Sequence, residues 1–126
     1  MFKTAKQYVD MRLYRYAKDG LYGEVLNPIE YEVCKELTIK VQKGFKTDFA
    51  SIPRVFYNII TPIGKHTQPA IIHDYLYSEG AKLGYTRKNA DVIFREAMLE
   101  CGVNPFTAGL MYYAVRLFGK SHYNKG

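Results

Sequence analysis

The 126-residue chain predicts an α+β domain: an N-terminal antiparallel β-meander of three or four strands, then a cluster of three to four helices. Three observations predict it. Residues 29–33 and 37–41 alternate apolar and polar with a period of two, the mark of sheets with one face in a core and one in water. From residue 69 onward the period becomes that of a helix, in blocks opened by Pro, Thr or Asn and closed by Gly. Gly44 and the Thr61-Pro62-Ile63-Gly64 break bound a crossover stretch between the two halves.

Taken in order, residues 8–43 form the β part. Residues 8–16 alternate in part, with Met11 and Leu13 against Arg12 and Tyr14, and Asp19-Gly20 supplies a turn. Residues 21–26 make a short second strand ended by Asn27-Pro28. Ile29, Tyr31 and Val33 face one way in the third strand, and Leu37, Ile39 and Val41 do so in the fourth. Residues 44–64 form the crossover loop, with a short helix at about 53–60 that Pro53 opens and Ser51 caps. The helical part spans 65–119. Pro69 opens a helix over 69–79 that Gly80 ends, and Thr86 caps one over 87–101 that Gly102 stops. Asn104 and Pro105 begin the last helix, which ends at Gly119. Ala90, Ile93, Phe94, Ala97 and Met98 form the apolar stripe of one helix. Leu110, Met111, Ala114, Val115 and Phe118 form that of the next, and residues 120–126 read as a frayed tail.

Composition sets the limits. At 48% apolar and 24% charged residues, the chain is an ordinary globular sequence with length for one domain and one core. Twelve Tyr and seven Phe without Trp suit a small core or an interaction surface. The net charge of +6 is compatible with an anionic partner, yet no run of four basic residues occurs, which argues against nucleic acid. Cys34 and Cys101 stand apart from any metal spacing and are expected as small buried apolar groups in a reducing compartment. No apolar run has the ~20 residues of a membrane span, and MFKTAKQYVD lacks the apolar middle of a signal peptide.

Two stretches place ionisable side chains inside an apolar frame. The first, residues 44–54 (GFKTDFASIPR), holds Asp48, Ser51 and Arg54; the second, residues 70–77 (AIIHDYLY), holds His73 and Asp74. Charged groups among core residues must find partners, because an unpaired buried charge is strongly destabilising. One resolution is structural: His73 and Asp74 bond to Arg54, tyrosines or loop amides and fasten sheet to helices. Another is a metal site, for which Asp48, His73 and His66 have the ligand types. Asp48, His73 and Asp74 are then the catalytic candidates, around one divalent ion that lowers the pKa of bound water. Ser51 and Arg54, with loop amides before a helix N-terminus, could instead cradle a phosphate or carboxylate. Asp91 and Arg116 sit on the edges of facing helical stripes and are expected to form a helix-to-helix salt bridge. Ser51 lacks the nucleophile-elbow pattern of a serine hydrolase.

Residues 44–54, residues 70–77, Arg87-x-x-Ala90-Asp91-x-x-Phe94 and the run from Met111 to Gly119 together resemble DUF1353, a family of small uncharacterised proteins found mostly in bacteriophages and prophages. The four stretches follow the family's order and span about residues 29–119. The resemblance implies a pattern that includes Asp48, Arg54, His73, Asp74, Asp91 and Arg116 but not His66, and it carries no established reaction. It implies a phage-encoded protein made in the bacterial host cytoplasm, or carried in the virion with virion proteins as partners; from the composition an anionic ligand is the alternative partner, and no membrane is expected. The adjacent His73-Asp74 is also similar to the HD phosphohydrolases, whose ligands would fall on His66, His73, Asp74 and Asp91. Those domains, however, are helical throughout.

Three functions follow as expectations. The first is an accessory or virion-associated protein whose Asp48, Arg54, His73 and Asp74 cluster is a lock between sheet and helices. The second is a small metal-dependent hydrolase of a phosphoester or cell-wall bond. The third is a stoichiometric binder of an anionic small molecule or nucleotide, as in an anti-defence sponge.

Overall fold

The computed structural model describes residues 11–16, 20–47 and 67–123. Asp48, Ser51, Arg54, His66 and the short helix expected at 53–60 lie outside the described residues. Antiparallel strands precede helices, so the domain is α+β. The strands divide between two small sheets instead of forming one continuous meander. β1 (Met11–Tyr16) pairs antiparallel with β2 (Gly20–Val25), from Met11 opposite Val25 to Tyr16 opposite Gly20. β3 (Ile29–Cys34) and β4 (Leu37–Val41) form a separate hairpin. In it Ile29, Tyr31, Ile39 and Val41 are buried, while Glu30 lies opposite Lys40. Leu37, at the mouth of the hairpin turn, is exposed and does not share the buried face of Ile39 and Val41.

Gly44 does not end the sheet region. At φ +92° it takes a left-handed turn that a side chain would resist. Its N–H donates to the Val25 carbonyl at 2.7 Å, and the Val25 N–H donates to the Phe45 carbonyl at 2.9 Å. The chain thereby returns along β2, where β5 (Lys46–Thr47) pairs with Gly23 and Glu24.

α1 (Thr67–Tyr77) is the central helix. Ala70, Ile71, Ile72, Leu76 and Tyr77 are all buried, and α1 packs on β4 and β5 on one side and on α3 (Arg87–Glu100) on the other. A helix enclosed on most sides carries apolar residues nearly all round. It ends at Tyr77 and a single turn, α2 (Glu79–Lys82), follows. Gly80 is therefore inside a helical turn and not the stop; a Cβ there would lie 3.0 Å from Leu76 Cδ2, a contact that Leu76 would have to shift to relieve. The Thr86 hydroxyl caps α3 by accepting from the Asn89 N–H at 3.1 Å. At its far end Gly102 (φ +88°) and Val103 close the helix, with N–H groups donating to the Leu99 and Met98 carbonyls, the paired bonds of a Schellman motif.

α4 (Pro105–Phe118) starts at Asn104, whose side chain accepts from the Phe106 N–H at 2.8 Å. It buries Ala108, Met111, Ala114 and Val115, whereas Leu110 and Phe118, expected in the core, are exposed. A 3-10 helix, Gly119–His122, continues from it. Tyr123 then packs edge-on against Tyr77 and donates its hydroxyl to the Tyr85 carbonyl, so the chain as far as Tyr123 is not a frayed tail. Buried residues of the β3–β4 hairpin, α1, α3 and α4 form one continuous core. Burial, then the nearby Glu100 and Glu96, push the Tyr31 phenol up to about 12 where β3 meets the end of α3. Cys101 is buried as expected, but Cys34 is exposed at the end of β3.

Candidate functional site

His73 and Tyr77 are one helical turn apart on α1 and share a face. That face meets Asp91, which α3 places within its apolar stripe. His73 and Asp91 are both 0% exposed. Asp91 Oδ1 lies 2.6 Å from His73 Nε2 and accepts from the Tyr77 hydroxyl at 2.6 Å. Arg116 on α4 donates from Nη1 to Asp91 Oδ2 at 2.9 Å, so the expected pair of Asp91 and Arg116 is in contact. Three helices thus meet at one carboxylate.

Burial alone would raise the Asp91 carboxyl, but hydrogen bonds from His73, Tyr77 and Arg116 outweigh it and hold the group below its ordinary range. An ionised carboxylate only accepts, so His73 Nε2 is the donor in this contact. The imidazole is held between the Tyr77 ring at 4.1 Å and the Phe94 ring at 4.6 Å. Its Nδ1 is buried and has no hydrogen-bond partner among the described residues. Burial, followed by the Asp91 hydrogen bond, pushes the Tyr77 phenol well above its ordinary value, and the neighbouring Arg87 partly offsets this.

Arg87, in the first turn of α3, donates to the Val115 carbonyl at 3.1 Å and to the Arg116 carbonyl at 3.1 and 3.2 Å. These carbonyls lie in the last turn of α4, and the positive charge faces the negative end of its dipole. Gly119 completes the enclosure. A Cβ there would sit 2.8 Å from the Tyr77 hydroxyl, so the close approach of the chain to Tyr77 requires glycine.

His73 and Asp74 do not act on one point. Successive helical residues diverge by about a hundred degrees, and Asp74 accepts from the Thr47 hydroxyl of β5, on the sheet side of α1. His73 serves the helices and Asp74 joins helix to sheet. Among the described residues no group of three or more His, Cys, Asp or Glu is placed to hold a metal ion. Tyr77, Arg87 and Thr47 are site residues that the sequence reading did not single out. The available signal was spacing: Tyr77 follows His73 by four residues on a helix, and Asp91 falls inside an apolar stripe where only a paired charge is stable.

The chain matches the family described as protein of unknown function (DUF1353) over residues 23–115, and it belongs to that family. The matched stretch runs from the end of β2 to Val115, takes in His73, Tyr77 and Asp91, and stops one residue before Arg116. No curated protein and no solved structure matches the chain.

Proposed function

We propose that this protein acts by binding and not by turnover, as a phage-encoded accessory or virion-associated protein whose His73–Asp91 network is a structural lock. The observation that supports this most is that His73 and Asp91 are both 0% exposed, with the Asp91 carboxylate engaged by three donors from α1 and α4. A catalytic acid, base or nucleophile must reach its substrate, and no substrate reaches these atoms while the three helices remain packed. A buried ion pair saturated with hydrogen bonds is what fastening needs, since loss of one partner is strongly destabilising. The phage and virion assignments rest on the family resemblance.

One observation favours a second reading, a metal-dependent hydrolase. A histidine that gives one ring N–H to a carboxylate and keeps its other nitrogen unpartnered is oriented as metal-ligating histidines are. His73, with Nε2 on Asp91 and Nδ1 unpartnered among the described residues, has that disposition. Asp74 is turned away from it, so the further ligands would be Asp48 and His66, outside the described residues. The metal would supply an activated water.

Metal content per chain, measured with thermal denaturation for the wild type and His73→Ala, separates the two. A structural lock predicts no stoichiometric metal after incubation with divalent ions and a melting temperature several degrees lower in the variant. About one metal ion per wild-type chain, lost in a variant that still folds, would replace the lock with the hydrolase. Mass spectrometry of purified particles tests the virion assignment, which fails if the protein is confined to the infected-cell lysate.

A further inference from the structure

The outward face of α4 is apolar along its length. Phe106, Leu110, Tyr113 and Leu117 are 76%, 40%, 64% and 73% exposed, and their 4-3-4 spacing lines them up as one seam. The only charged residue of α4 is Arg116, and it turns to Asp91. A helix with an apolar inner stripe and an apolar outer stripe is a helix meant to be covered on both sides. The seam adjoins a groove of about 260 Å³ between α3 and α4, lined by Val92, Arg95, Glu96, Leu99 and Tyr112. We infer that this face is the interface for a second copy of the chain, with the two α4 helices packed antiparallel along the seam.

Three observations select that occupant. The first is area. With the exposed fractions of its four side chains, Leu99 and Val92, the patch offers about 600 Å² per copy, counting a buried aromatic as about 150–250 Å². Two copies would bury about 1,200 Å² in total, which reaches the lower end of the range of specific interfaces. The second is Gly109, beside the seam in mid-helix. A Cβ there would meet nothing within 4 Å, so no contact among the described residues requires this helix-weakening residue. A glycine at that place lets a second helix backbone approach closely. The third is charge. The rim carries Arg95 and Glu96 side by side, both signs on one edge, which suits a two-fold partner bearing the same pair. Parallel packing would set Lys120 beside its own copy, whereas the antiparallel arrangement separates them and opposes the helix dipoles. In that arrangement Phe106 packs on Leu117 of the second copy, and Leu110 on its Tyr113.

Sedimentation equilibrium from micromolar to submillimolar concentration tests this. The expected result is a mass that rises from 14.6 kDa toward twice that value. Tyr113→Glu with Leu117→Glu should weaken association roughly a hundredfold or more. Leu83→Glu, at an exposed site away from the seam, should leave it unchanged. Circular dichroism and melting at dilute concentration show that the variants fold. In a Cys34→Ser background, Phe106→Cys mixed with Leu117→Cys should form a disulfide dimer that neither forms alone. A wild-type chain monomeric throughout, association that survives the double substitution, or a monomer that binds anionic lipid vesicles through this face would overturn the proposal.

Discussion

The two faces of α4 invert the usual sorting of polar and apolar groups. Inward, Ala108, Met111, Ala114 and Val115 pack closely, and Arg116 reaches past them to a carboxylate that has no contact with solvent. Outward, Phe106, Leu110, Tyr113 and Leu117 stand in water. Scattered apolar groups on a surface carry little information, but a buried charge and a continuous exposed apolar stripe each call for a partner. The inner face already holds its partners, in His73, Tyr77 and Arg116 around Asp91. The outer face has none within the described residues. The inner face should therefore govern folding, and the outer face association.

The largest effect should come from Asp91→Ala. It removes the acceptor for His73 and Tyr77 and leaves the half-buried Arg116 charge without its carboxylate. Breaking a buried pair in this way costs about 3–5 kcal/mol. For a domain of this size that lowers the melting temperature by about 10 °C or more. A melting temperature within a degree of wild type would show that the inner network is not what holds the helices together.

The same carboxylate sets an acid limit. Its pKa is lower folded than unfolded, so the native state favours the ionised form and its contribution is complete above the unfolded value of about 3.9. That contribution is lost as pH falls below about 3.9 and through the folded value. Urea denaturation at stepped pH should show stability from this group level down to about pH 4 and falling below it. Asp91→Asn should flatten that acid limb while lowering stability at neutral pH.

Next in size is Gly119→Ala, which drives a methyl group to 2.8 Å from the Tyr77 hydroxyl. Overpacking of this kind costs about 1–3 kcal/mol. Tyr77→Phe removes the clashing oxygen, although the ring carbon at 3.2 Å remains. The double variant should thus lose less stability than the two single losses summed, a coupling that a double-mutant cycle measures.

Local features of this fold were legible in the sequence and distant ones were not. Thr86 and Asn104 are caps because each bonds to an N–H two or three residues on, so short-range pattern finds them. The alternation of Ile29, Tyr31, Ile39 and Val41 reports a buried face for the same reason. Asp91 with Arg116 could be inferred because each lies at the edge of an apolar stripe. The partner of His73 could not: Arg54, tyrosines and loop amides are the partners its sequence neighbourhood suggests, while the acceptor lies 18 residues away on another helix. Gly80 carries the same letter as a true stop such as Gly102, yet it lies inside a turn against Leu76, and Gly119 both ends α4 and packs closely against Tyr77. β5, two residues long, is too short to show a period. Leu110 and Phe118 were assigned to the core because α4 is apolar on both sides and its single charge turns inward, so its pattern cannot say which side is inside.

That ambiguity makes Leu117→Lys the sharpest small-effect test. Leu117 is exposed near the end of α4 and touches none of the inner network. Leu and Lys have similar helix propensities, and a surface change of this kind stays within about 0.5 kcal/mol. In dilute solution the variant should melt with the wild type. At high concentration the two should separate, because association raises the melting temperature of the wild type by mass action while the variant stays level. Equal melting at every concentration would leave the outer face without an energetic role in self-association. A large loss in dilute solution would mean that Leu117 belongs to the core after all, and the contrast between the two faces of α4 would fail.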